Sequence, residues 1–361
     1  MDERLNMNIL FLSGRELDYP RNSLIHRFLS KDHSVRFIGQ YRGKASILRQ
    51  SILSTIIGLP VLMSGRYDLC YVGFFGQLLL FPLGLLHRQR FLLDAFVSAY
   101  DTLCFDRQVI ASGSVLGRLA HWIDQFASLR ATHILVDTQA HADYFQREFN
   151  IAPEKMDVIF VGCDDELFQP IDIQSEPQRI LFYGSYLPLH GLEYILGAAE
   201  IIEKTRPSVR FHLIGPDPGK ACDLNITRQR NLKNVEWRPP VPLTQLPYEI
   251  QRAEICLGGH FGISAKAGRV IAGKTFQCLA MGKPTIVGDN IANRELMQPG
   301  RDACFSPMGN SMILAENILN LLDQPKLCKL LGENGRAAYL TKASNQVLQK
   351  KLNAILFRIA E

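Results

Sequence analysis

Residues Ile180 to Ala199 read ILFYGSYLPLHGLEYILGAA. The apolar run ending at Tyr183 has the length and composition of a buried strand, and the stretch from Leu192 onward has the spacing of a helix. Between them lie Gly184, directly after the strand, and Gly191, at the helix start. A glycine in the first position lets backbone approach a ligand, and a helix opened by a glycine offers free N–H groups to an anion. The same turn also occurs in strand–helix units that bind nothing, so it sets the fold before it sets a function.

Working outward, the pattern repeats. Apolar strand-like runs at Arg210–Ile214, Asn234–Trp237, Ile255–Leu257 and Thr285–Gly288 alternate with helical runs, including Leu192–Lys204 and Thr275–Met281. The first half does the same, with strands at Asn8–Leu12, Val35–Ile38, Leu69–Val72, Phe91–Leu93, Ile134–Val136 and Asp157–Val161, and helices at Ser23–Ser30, Gly117–Ala131 and Gln139–Phe149. Alternation of this kind predicts parallel sheets covered by helices on both faces. The polar, proline-bearing stretch Pro170–Gln178 is the expected linker. Two doubly wound α/β domains are therefore expected, 1–173 and 174–340, facing a central cleft in which ligands bind outside the carboxyl ends of the strands. Residues 341–361 are expected as a final helix, because Asn345–Ala360 has helical apolar spacing.

Bulk composition agrees. A chain of 361 residues suits two domains, and 47% hydrophobic with 21% charged residues describes a globular chain with a real core. A net charge of +5 suits an anionic small ligand or an anionic membrane surface and is too weak to indicate nucleic acid. The eight cysteines, Cys222 among them, form no C-x-x-C pair, which points to reduced core residues and a reducing, cytoplasmic compartment. The polar Met1–Asn8 does not read as a signal peptide. Leu69–Leu86 (LCYVGFFGQLLLFPLGLL) approaches the length of a membrane span, but Gly73, Gly76, Gln77, Pro82 and Gly84 break it, so a strand followed by an apolar helix is expected.

The second informative stretch is Cys256 to Pro284, CLGGHFGISAKAGRVIAGKTFQCLAMGKP. It places glycines, Gly259 among them, after a strand, then Lys266, Arg269 and Lys274, then a helix start. Three cations between a glycine-rich loop and a helix N-terminus would hold a diphosphate, with a solvated basic loop between two core elements as the alternative.

Phe182–Gly191 and Gly273–Pro284, with Gly288-Asp-Asn-Ile-Ala-Asn-Arg-Glu295 and Glu333-Asn-Gly335, resemble the donor domain of glycosyltransferase family 4. The first half is similar more loosely, through Asp18–Asn22, Asp94–Phe96, Tyr100–Thr102 and Asp137-Thr138. The resemblance implies the GT-B fold of two Rossmann-like domains, a nucleotide-diphosphate-sugar donor bound by the second domain, transfer of a hexose or related sugar with retention, and no bound metal or other cofactor. It also implies a final helix that crosses back to the first domain. The sequence departs from the family where Arg and Lys are common in the first donor loop, since Ser185 and His190 stand there. The family's two glutamates fall on Arg269 and Gln277.

From these patterns, Lys274, Arg269 and Lys266, helped by His190 and amides near Gly191, are expected to stabilise the departing diphosphate. Gly14, Gly184, Ser185, Gly215 and Gly259 are expected to line the donor, with Gln277 and Glu295 on its ribose or phosphate side. Trp237 and Arg238 end a strand where the base would lie, with core packing as the alternative for the tryptophan. Asp94, ending an apolar strand, is the expected protein base, with capping as its alternative and Asp101 as second choice. His26, His87, His121, His133 and His141 are read as structural. The acceptor is expected to be a saccharide or lipid-linked. Apolar stretches at Ile47–Met63 and Leu78–Leu86, with Arg42, Lys44, Arg49, Arg66, Arg88 and Arg90 nearby, suit either peripheral contact with the inner face of an anionic cell membrane or a helical core. The rival readings are a sugar-nucleotide epimerase and a catalytically silent GT-B binding protein.

Overall fold

The computed structural model describes residues 6–43, 46–217 and 232–360, so Lys44 and Cys222 lie outside the described residues. The chain divides into two units, Met1–Phe160 with Leu348–Glu361, and Val161–Val347.

In the first unit β1 (Asn8–Leu12), β2 (Ser34–Ile38), β3 (Leu69–Val72), β4 (Phe91–Asp94), β5 (His133–Val136) and β6 (Met156–Val158) form one sheet in the order β2-β1-β3-β4-β5-β6. Every pairing is parallel. Continuous apolar strands such as Ile9–Leu12 are what a parallel sheet buried on both faces demands. The connections are α1 (Pro20–Asp32), α2 (Ile47–Met63), α3 (Gly76–Leu86), α4 (Val115–Arg130) and α5 (Gln139–Phe149). Local chemistry sets their ends: Pro20 starts α1, and the side chains of Ser114 and Thr138 accept backbone N–H groups at the starts of α4 and α5.

At the carboxyl edge of this sheet Asp94 is buried beneath α1. Its carboxylate accepts from Arg21 Nε at 2.9 Å and Nη2 at 3.1 Å, and from the Tyr71 hydroxyl at 2.6 Å. Arg21 spends its remaining donor on the carbonyls of Ile159 and Phe160, at 2.9 and 2.8 Å. Both side chains are fully buried.

The second unit has β7 (Arg179–Tyr183), β8 (Arg210–Ile214), β9 (Val235–Arg238), β10 (Ile255–Leu257), β11 (Thr285–Gly288) and β12 (Cys304–Ser306), again all parallel, in the order β12-β11-β10-β7-β8-β9. Around it lie α6 (Leu192–Thr205), α7 (Leu246–Arg252), α8 (Gly273–Ala280), α9 (Ile291–Leu296), α10 (Ser311–Leu322) and α11 (Pro325–Lys342). Ile180, Phe182, Ile195, Leu213, Leu257, Leu314 and Ile318 share its core. The expected linker is tied to this unit: Ile171 N donates to Gln251 Oε1 at 3.2 Å and Glu176 N to the Arg252 carbonyl at 2.8 Å.

The last helix, α12 (Asn345–Ala360), joins the first unit from Leu348 onward. There it buries Leu348, Leu352, Ile355, Leu356 and Ile359, and Gln349 and Asn353 donate to Asp32. Among the described residues no helix is long and apolar enough to cross a membrane, and Leu69–Leu86 is divided between β3 and α3.

Candidate active site

The chain order of the second sheet reverses between β7 and β10, since β8 and β9 lie to one side and β11 and β12 to the other. In a doubly wound sheet the loops leaving such neighbours part in opposite directions and open a crevice at the carboxyl ends. Here the loops after β7 and β10 are pinned to each other. Phe261 N donates to the His190 carbonyl at 3.3 Å and Gly262 N to the Leu189 carbonyl at 3.2 Å. Gly191 is obligatory at this crossing: its φ is +66°, and a Cβ would lie 2.4 Å from Gly262 N.

The crossing sets the rings of His190 and His260 in a parallel stack, 5.5 Å apart and 6° from coplanar. Lys274, the second residue of α8, points at the same place, and no side chain caps the N-terminus of that helix. Its ammonium lies 4.6 Å from the centre of the Phe182 ring. Gly184, with φ +149°, completes the hollow: a Cβ there would lie 3.4 Å from Lys274 Nζ and 3.1 Å from His190 Cε1. A side chain at position 184 would fill the space that the lysine and the histidine border.

The electrostatics are unusual for a protein interior. Lys274, His190 and His260 are 7%, 8% and 4% exposed. No carboxylate pairs with Lys274 among the described residues. Burial brings its ammonium down to about 7. His190 is held well below the ordinary imidazole range by burial, then by the charge of Lys274, then by His260. His260 is held down by burial, then by Lys274 and Lys266. Among the described residues the buried Nδ1 atoms of both histidines have no hydrogen-bond partner. A buried cation without its counter-ion and two unsatisfied imidazole nitrogens together cost several kcal/mol, by order of magnitude, in a closed interior. An anion seated over Gly184 would offset all three at once.

Around this centre the expected residues fall as follows. Gly184, His190, Gly191 and Lys274 come together, and Gly259 precedes His260 in the loop after β10. Lys266 is close enough to act on His260, and Arg269 closes a turn on it, its N–H donating to the Lys266 carbonyl at 2.9 Å. Gly215 abuts the same hollow, because a Cβ there would meet the Gly184 carbonyl at 2.4 Å. Gln277 is half-buried and accepts the Tyr183 hydroxyl at 2.7 Å. Ser185 is exposed beside Gly184. Glu295 is half-buried in α9, where its carbonyl accepts from Lys342 at 3.0 Å. His260 escaped the sequence reading, although Gly-Gly-His directly after a strand was its signal.

Four of the expected residues have other neighbours in the structure. Asp94 is no free base: its fully buried carboxylate is committed to Arg21 and Tyr71, and so ties β4 to α1 and β3. Arg238 turns to Glu249, 2.6 Å away, which Arg179 also binds at 2.5 Å, so its charge is already spent. Trp237 packs edge-on against Tyr186, ring centres 5.9 Å apart, at the margin of the core of the second unit. Gly14 lies in the first unit, where a Cβ would press on Ser51 Oγ at 2.8 Å. Among the described residues no group of three or more His, Cys, Asp or Glu is placed to hold a metal ion.

Residues 177–324 match the family model described as glycosyl transferases group 1. D-inositol 3-phosphate glycosyltransferase of Segniliparus rotundus is 24% identical over 177 residues, covering 44% of this chain and 39% of that protein. Alpha-D-kanosaminyltransferase of Streptomyces kanamyceticus is 22% identical over 255 residues, covering 66% of this chain and 62% of that protein. The chain thus spans less than two thirds of the length of these curated relatives. Among solved structures, sucrose-phosphate synthase from Thermosynechococcus elongatus superposes with a TM-score of 0.78 at 13% identity, covering 98% of this chain and 99% of that one. HepE of Anabaena, solved with UDP-glucose, gives 0.76 at 13% identity, covering 98% and 100%. The chain has the GT-B fold, and the match to the glycosyl transferases group 1 model falls within its second unit.

Proposed function

We propose that this chain is a retaining glycosyltransferase that moves a sugar from a nucleotide-diphosphate donor to a saccharide or lipid-linked acceptor. The observation that carries the reading is Lys274: a buried ammonium with no counter-ion among the described residues, at the reversal point of the sheet, under a glycine and beside two buried histidines whose Nδ1 atoms lack hydrogen-bond partners there. The relatives named as glycosyltransferases, and the UDP-glucose in HepE, support the same reading.

In this reading the pyrophosphate lies over Gly184. As the bond to the anomeric carbon breaks, negative charge grows on the leaving oxygen. Lys274 and the amides opening α8 are fixed where that charge appears and need no reorganisation. His190 and His260, neutral in the empty site, gain affinity for protons beside a dianion and so add positive charge only when the donor is present. Lys266 and Arg269 supply further charge from the loop. With Asp94 committed elsewhere, the acceptor proton passes to the leaving diphosphate. Neither a metal nor another cofactor enters the scheme. The working place is the cytoplasm, with peripheral contact on the inner face of an anionic membrane.

The test is hydrolysis and transfer across a panel of UDP-, GDP- and ADP-sugars, with wild type, Lys274→Met and Arg269→Ala. Loss of turnover by roughly a hundredfold or more in Lys274→Met, the scale of removing one oxyanion donor, is expected. Normal turnover and normal nucleotide affinity in both variants would reject the assignment. Interconversion of the donor sugar in place of transfer would mark an epimerase, and absence of nucleotide binding a silent binding protein.

A further inference from the structure

Helices on the surface of an α/β unit normally bury their apolar stripe and turn polar residues to water. Two helices of the first unit do the reverse. The buried positions of α2 are Gln50, Ser51, Ser54, Gly58 and Leu62, while Leu48, Ile52, Leu53, Ile56, Ile57 and Met63 face outward. The buried positions of α4 are Gly117, Ala120, Asp124, Ala127 and Ser128, while Val115, Leu116, Leu119, Trp122 and Leu129 are exposed. Exposure is large: 64% for Ile56, 83% for Val115 and 47% for Trp122. Helix α3 packs between these two and adds Leu85 and Leu86 at its exposed end. The three helices thus present one continuous apolar face, beyond what scattered surface residues produce.

Its charge is equally one-sided. Residues 40–66, 76–93 and 107–123, which carry α2, α3 and the first half of α4, contain not one Asp or Glu, and Asp124 further along α4 is buried. Arg42, Arg49, Arg66, Arg88, Arg107 and Arg118 are all exposed there. Apolar side chains directed outward, rimmed by arginines and free of acids, match a surface that is hydrocarbon beneath and negatively charged at its head groups. Helix α2 also reaches the carboxyl edge of the first sheet, where Ser51 abuts Gly14.

We infer that the α2–α3–α4 face docks on an anionic lipid bilayer, with the outward residues of α2 and α4 inserted among the acyl chains and the arginines at the phosphates. The acceptor belongs to the lipid-carried class, because a docked α2 holds the carboxyl edge of the first sheet at the bilayer surface. The choice of acceptor rests on the glycosyltransferase reading, whereas the docking itself does not.

Flotation of the full chain with vesicles tests it. Binding to equal parts of phosphatidylcholine and phosphatidylglycerol is expected, with little to phosphatidylcholine alone. The pair Ile56→Asp and Trp122→Asp, both at exposed positions, abolishes binding. Replacing Arg49 and Arg118 by Gln weakens it about fivefold per arginine. Nucleotide titration of the same samples gives unchanged affinity, so donor binding is read separately from docking. Absence of flotation with anionic vesicles overturns the inference, as does binding that the aspartate pair leaves intact. A concentration-dependent dimer that the aspartate pair dissolves, without vesicle binding, assigns the face to a second copy of the chain and equally overturns it.

Discussion

Lys274 concentrates the chemistry of the second unit in one side chain. With its ammonium near 7 in the folded protein and 10.5 when unfolded, the unfolded chain binds more protons between those values. This group therefore makes stability rise as pH increases from about 7 toward 10 and imposes its full penalty below 7. Lys274→Met should flatten that rise in denaturant midpoints measured from pH 6 to 9. Ligand binding runs the opposite way: the ammonium is charged below 7, so the affinity for UDP should fall as pH rises through neutrality in wild type and lose that step in Lys274→Met. An unchanged step in the variant would place the titrating group elsewhere. The lysine was legible because glycines and a helix start surround it in sequence. His260 was not, because its stack on His190 is made by a crossing of two loops, and no spacing within either loop encodes it.

At the scale of elements, strands were read well where they are long and fully apolar, as at β1 and β7. Strand β12, Cys304–Ser306, was missed, having three residues and no alternation. Helices α10 and α11 were passed over, although both are long. The sequence leaves the apolar stretch Ile47–Met63 open between core and membrane because hydrophobicity alone does not say which face turns inward. Only the seating of Gln50, Ser51 and Ser54 against the sheet reveals the inversion. The pairing of Asp94 was not legible for a related reason: its partner Arg21 lies 73 residues away. That pair joins α1, β3 and β4, so Arg21→Ala, which strands a buried carboxylate, should cost about 3–5 kcal/mol in chemical denaturation. Nucleotide affinity at the second unit should survive. A variant as stable as wild type would contradict the role given to the pair.

For the whole molecule, the first unit is built from two stretches of chain, before and after the second. Deleting Leu348–Glu361 removes the buried faces of Leu348, Leu352, Ile355, Leu356 and Ile359, each worth about 1.5–3 kcal/mol of burial. Calorimetry of the truncated chain should show the unfolding of the first unit shifted far downward or lost, with the transition of the second unit retained. Equal loss of both transitions would argue against two separately organised units. The two-unit architecture was legible from the alternation of strands and helices, whereas the attachment of 161–178 to the second unit was not, since it depends on hydrogen bonds to Gln251 and Arg252.

The return of the last helix has a consequence for synthesis. Topologically the second unit is an insert within the first. As the chain leaves the ribosome, residues before Val161 emerge first but lack the helix that closes their core, and some two hundred residues, at about 5–20 per second, pass before it arrives. The later-made unit can finish first. Until then the nascent first unit carries an uncovered seam in addition to its outward-facing apolar helices, the interval in which chaperone capture or early contact with a bilayer matters most.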